Sequence, residues 1–188
     1  MDTNTGDGSR EPLSVGSCLK VGREPVFVRS VRKPADWLRA LSTADANAAK
    51  RVFHSPDHRV SLWYVSNDTE LRRAAMAINE HRSPPTGKLD LLAVLPQELI
   101  DVGIACEQTS LGVTECPEAA ALHHDALMDE GKSRDLCKSL MSSRRALGRC
   151  TRSQIRTAIQ LSEQEGCFAV SGTSTACDCG ATRDVQVS

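Results

Sequence analysis

This sequence is poor in aromatic residues. Its 188 positions hold three Phe, two Trp and one Tyr. A core built from it is therefore aliphatic, drawn from Leu, Val, Ile and Ala. Long apolar runs are missing too. None exceeds five residues, Leu91–Leu95 being one, whereas a membrane-spanning helix needs about 20. The N-terminus, MDTNTGDGSREPLS, has neither the basic start nor the apolar stretch of a secretory signal, so the cytoplasm is the expected compartment and no membrane partner is expected. The chain contains no G-x-x-x-x-G-K-[ST] phosphate loop, no G-x-G-x-x-G fingerprint and no G-x-S-x-G elbow, which removes the commonest nucleotide and serine-hydrolase signatures. An excess of one charge is also absent, with 23 Lys and Arg against 24 Asp and Glu.

What is present suits one folded unit. The apolar fraction is 40%, enough to fill a core, and the length fits a single domain of roughly 100–150 residues plus tails. Residues 1–24 are polar and without period, and they read as a mobile tail. Residues 25–165 form the expected α+β domain. Residues 166–188 read as an irregular, Cys-containing C-terminal tail. Eight cysteines stand at positions 18, 106, 116, 137, 150, 167, 177 and 179. Their scattered spacing and the missing signal argue against a disulfide framework.

Four short strands are expected in a small mixed sheet. Val26–Val31 is β-branched, and Arg59–Val65 is the clearest strand. Leu89–Leu95 reads as a buried strand, and Ile104–Thr109 follows a short helical turn that ends at Gly103. Pro34 opens a first helix. Asn67 caps a second, with Glu70 placed to reach back to the backbone. Pro117–Met128, Ser133–Leu147 and Thr151–Gln164 are expected to be helices, the last opening on a Thr151-x-x-Gln154 capping box. The C-terminal part is thus expected to be helical.

The near-neutral total hides two blocks. Glu98 to Glu130 holds eight acids and no Lys or Arg, a charge of −8. Lys132 to Arg156 holds eight cations against Asp135, a charge of +7. A basic helical pair could meet nucleic acid through Lys138, Arg145, Arg149, Arg152 and Arg156. About 25 residues here resemble a helix-turn-helix, with Gly148 to Ile155 one residue longer than that motif. The competing expectation is that the two blocks pair with each other.

Two further constellations carry chemistry. Cys177-Asp178-Cys179, with Cys167 and His123, offers thiolate and imidazole ligands to zinc, although paired C-x-x-C knuckles are absent. Arg29, Ser61 and Glu107, on three expected strands in that order, are similar to the Arg–Ser–Glu set of ADP-ribosyltransferases. The resemblance implies Arg29 on a phosphate of NAD, Ser61 shaping a nicotinamide pocket and Glu107 on the ribose. The stretch reads Val60-Ser61-Leu62 where that family has Ser-Thr-Ser, and Ala105 stands where a second acid would. The leading expectation is a small binding or regulatory protein whose partner is nucleic acid or another protein. No cofactor is assigned by the sequence itself.

Overall fold

The computed structural model describes residues 21, 23–80, 89–109, 114, 116–145 and 147–151, with isolated positions at 153, 156, 157 and 160. Six strands form one antiparallel sheet: β1 Val26–Ser30, β2 Arg59–Val65, β3 Leu89–Val94, β4 Ala105–Gln108, β5 His123–Leu127 and β6 Leu147–Cys150. Their order across the sheet is β4-β5-β2-β1-β3-β6. Delimited α-helices among the described residues are α1 Pro34–Thr43, α2 Ala46–Ala49, α3 Asp68–Glu80, α4 Pro96–Asp101, α5 Pro117–Ala120 and α6 Glu130–Ser142. A 3-10 turn, Lys50–Phe53, follows α2. No helix among the described residues is long and apolar enough to cross a membrane.

Cross-strand partners share a face of a sheet, and the register sorts the helices into two layers. Phe27 is opposite Tyr64 and Val94, and Leu62 is opposite His124. On this first face Phe27, Leu62, Leu92 and Val94 pack with Trp37 and Ala40 of α1, Phe53 of the turn, Leu99 of α4 and Leu136 and Leu140 of α6. Val28 is opposite Trp63 and Ala93. On this second face those residues pack with Leu71, Ala74 and Ile78 of α3 and Ala119 of α5. Two helical layers therefore sandwich the sheet. All six residues of β3 are buried, as a strand with both faces covered requires. Charges pin the layers from outside: Arg73 of α3 pairs with Glu118 of α5, and Lys50 of the turn pairs with Glu130 of α6.

The chain's local signals explain several boundaries. Pro34 stands at the first position of α1, where its missing N–H is not needed. At α3, Asn67 Oδ1 accepts from the Glu70 N–H at 2.9 Å, and Glu70 Oε2 accepts from the Ser66 N–H at 2.6 Å. The reciprocal cap forms one residue earlier than Asn67's own backbone. After α4, Gly103 has φ +66°, the left-handed turn that glycine adopts without strain. The expected N-terminal tail lies outside the described residues except at its end. There the Val21 N–H donates to Asp68 Oδ1 at 3.1 Å.

Two expectations are overturned. Pro117–Met128 is not one helix; α5 stops at Ala120 and His123–Leu127 is β5. Its Ala- and His-containing sequence has no strong strand preference, but β5 pairs with β2 on one side and β4 on the other. Backbone groups of two strands would lose their partners without it, and that outweighs local propensity. Likewise α6 ends at Ser142, and Leu147–Cys150 is edge strand β6 rather than the end of a helix. Here Asp90 of β3, buried, stands opposite Arg149 in register, and Arg149 Nε donates to its Oδ1 at 2.6 Å. Among the described residues the sheet thus has six strands instead of the four expected. A helical pair across Gly148 does not form, which removes the helix-turn-helix likeness. Residues 152, 154, 155, 158, 159 and 161–188, which include most of the last expected helix, lie outside the described residues.

Candidate functional site

The site begins where β1 and β2 part. Their register ends at Val28 opposite Trp63, while β1 continues beside β3 through Arg29 and Ser30. Ser61 of β2 lies beyond the last β1 pair, in the gap so formed. Arg29 fills it: Nη1 donates to Ser61 O at 3.0 Å and Nε donates to Val52 O at 3.3 Å. One guanidinium thus ties β1, β2 and the 3-10 turn together. Burial first, then the neighbouring Arg32 cation, lowers its pKa from 12.5 to about 10, so it remains charged at neutral pH.

A cleft of about 630 Å³ opens beside this tie. That volume is in the range of small-molecule sites. Its charged lining is Arg29, Arg32, Lys33, Arg51 and Arg59 against a single carboxylate, Asp36. Ser61, Trp63 and His123 also line it, Trp63 and His123 meeting edge-to-face with ring centroids 5.0 Å apart. Asp36 is already engaged, since Arg39 Nη2 lies 3.0 Å from its Oδ1. Arg59 is engaged as well, 3.5 Å from Asp125 and 3.6 Å from Glu107. Among the described residues Arg32, Lys33 and Arg51 are exposed and form no ion pair. The N-terminus of α1 also opens here: Lys33 is its N-cap residue and no side chain caps it. The first N–H groups of a helix carry partial positive charge.

No protein-family model matches this chain, no curated protein matches it, and no solved structure matches it. The reading of the site rests on its own residues.

The residues singled out in the sequence are distributed as follows. Arg29 and Ser61 do share the cleft. Glu107 does not line it; it stands on β4, across from Asp125 of β5, which is in turn across from Ser61. Ser61, Asp125 and Glu107 form one transverse row, and Asp125 is the carboxylate next to Ser61. Of the basic stretch, Lys138 pairs with Asp135 at 2.9 Å on the surface of α6. Arg145 pairs with buried Glu98 at 2.7 Å. Arg149 holds Asp90, and Arg156 is exposed. Arg152 lies outside the described residues. The acidic and basic blocks therefore do meet, at Glu98 and Arg145. His123 is buried in β5, its Nδ1 2.9 Å from both Thr109 O and Thr109 Oγ1. Cys167, Cys177 and Cys179 lie outside the described residues. Among the described residues no group of three or more His, Cys, Asp or Glu could hold a metal ion.

Sequence reasoning missed Arg32, Lys33, Arg51 and Arg59. The signal was a short one: Arg29-Ser30-Val31-Arg32-Lys33 places three cations in five residues, and Lys50-Arg51 adds two. Spread over two segments, they do not stand out against the larger basic block.

Proposed function

We propose that this protein binds a phosphate-bearing small molecule in the cleft beside Arg29. The observation that carries the reading is the lining: five cationic side chains against one carboxylate that Arg39 already neutralises. Like charges held close together repel, and an anion among them relieves that repulsion. Guanidinium groups suit phosphate because their planar donors match its oxygens in pairs. The start of α1, whose Lys33 and Asp36 line the cleft, adds partial positive charge of the same polarity. Trp63, although mostly buried, and His123 give the cleft an aromatic wall, as small-molecule sites commonly have.

This reading moves the anion contact from the stretch Lys138–Arg156 to the cleft, because Arg145 and Arg149 each answer a buried carboxylate. It favours binding over NAD-dependent transfer, because Glu107 lies outside the cleft against Arg59. The test is thermal unfolding in inorganic phosphate against chloride of equal ionic strength. A ligand at 100 times its Kd stabilises by about 2.7 kcal/mol, so the midpoint rises in phosphate for the wild type. The Arg32→Ala/Arg51→Ala variant loses that rise. An equal midpoint in both salts sinks the proposal.

A further inference from the structure

We infer that the ligand of this cleft carries two or more linked phosphates rather than one. The inference rests on the phosphate reading above and narrows it.

The first argument is charge. Arg59 faces two carboxylates and Asp36 faces Arg39, so neither group demands an anion. Four cations remain at the cleft: Arg29, Arg32, Lys33 and Arg51. Arg29 spends two of its donors on carbonyls, which are neutral, so its positive charge stays uncompensated. A single phosphate ester carries about −1.5 to −2 at neutral pH. It leaves roughly half of this charge unanswered, whereas a second linked phosphate answers it.

The second argument is room. A water molecule takes about 30 Å³ of liquid, and a lone phosphate is only a few times larger. A cleft of about 630 Å³ holds considerably more. The third is the placement of the donors. Arg32 and Lys33 follow β1, while Arg51 comes from the 3-10 turn, a separate segment. Donors from separate segments around one cleft suit an elongated anion whose oxygens are spread along its length.

The experiment is calorimetric titration of the full chain at fixed ionic strength, because salt screens these charges. The probes are orthophosphate, pyrophosphate and a nucleoside diphosphate. Pyrophosphate is expected to bind at least tenfold more tightly than orthophosphate. Arg32→Ala/Arg51→Ala is expected to reduce pyrophosphate affinity at least tenfold and to remove most of that preference. Both side chains are exposed, so the fold should survive. Arg51→Lys, which keeps the charge, serves as a second variant and should retain more affinity than Arg51→Ala. A nucleoside diphosphate that binds at least as well as pyrophosphate identifies a nucleotide as the source of the diphosphate. Weaker binding by it identifies free pyrophosphate, and either result keeps the inference. Equal affinity for orthophosphate and pyrophosphate overturns the inference but leaves the phosphate reading standing. A preference for pyrophosphate that survives in the double variant overturns it by removing the cleft as its location. Binding of none of the three probes overturns both readings.

Discussion

Arg145 offers the most direct test of the packing. Its Nη2 lies 2.7 Å from Glu98 Oε1, with side-chain exposures of 15% and 10%. The second Glu98 oxygen accepts from the Leu95 N–H at 2.7 Å and closes the start of α4. The carbonyl of Arg145 accepts from Trp37 Nε1 at 3.2 Å, so α1, α4 and the end of α6 converge on one residue. Replacing Arg145 with Met keeps much of the side-chain volume and removes the guanidinium, leaving a buried carboxylate with one partner. Breaking such a pair from one side costs about 3–5 kcal/mol. For a chain of this size that lowers the melting midpoint by about 2–4 °C per kcal/mol. Glu98→Gln keeps an acceptor for Leu95 and leaves the guanidinium without its counter-charge. The double variant Glu98→Gln/Arg145→Met removes both charges and is expected to recover most of the loss, because a buried ion pair is often no more stable than a neutral replacement. Urea unfolding followed by circular dichroism, run as a double-mutant cycle, measures this. A single Arg145→Met loss below about 1 kcal/mol, adding simply to that of Glu98→Gln, would show that the pair is screened by water and would refute the argument.

Two further outcomes can be measured readily. Burial opposes ionisation of Glu70, but hydrogen bonds from the Ser66 hydroxyl, the Ser66 N–H and Asn67 outweigh it and hold its pKa below the usual 4.5. Its contribution is therefore present above the ordinary pKa and is lost as pH falls through the folded value. Wild type should lose more stability than Glu70→Gln between about pH 5 and pH 3, and parallel curves would contradict this. Burial pushes the Cys137 thiol up to about 12. In the folded protein at about pH 8 it should resist iodoacetamide and react only after unfolding, which peptide mass spectrometry reads directly.

The elements that were legible in the sequence are those where local pattern and tertiary demand agree. Arg59–Val65 alternates polar and apolar over its first four residues and is rich in β-branched and aromatic side chains, and β2 has those bounds. Asn67 and Glu70 mark the start of α3 because caps act over three residues. Residues 123–127 and 147–150 were misread because their structure is imposed from outside. His123–Leu127 and Leu147–Cys150 are strands because β2, β4 and β3 need partners. For the site, the order Arg29, Ser61 did locate two residues of the cleft, but for a different reason. Arg29 is held there to satisfy carbonyls where two strands diverge, a feature that exists only in three dimensions. The cations that make the cleft positive come from separate segments, so no window along the chain reveals their sum.

The strand order also governs how this sheet can assemble. β1, β2 and β3 are consecutive among the strands and lie side by side, so residues 26–94 contain the centre of the sheet. β4 leaves the chain next, but among the described residues its one strand partner is β5. It joins the sheet only through β5, either after β5 has docked on β2 or as a β4–β5 pair that docks together. A nascent chain released at about residue 110 would carry β4 with nothing to pair against, an unpaired strand of the kind that recruits other chains. Growth from the centre outward, with β5 as the gate for β4, makes the short segment His123–Leu127 the step on which one whole side of the sheet depends.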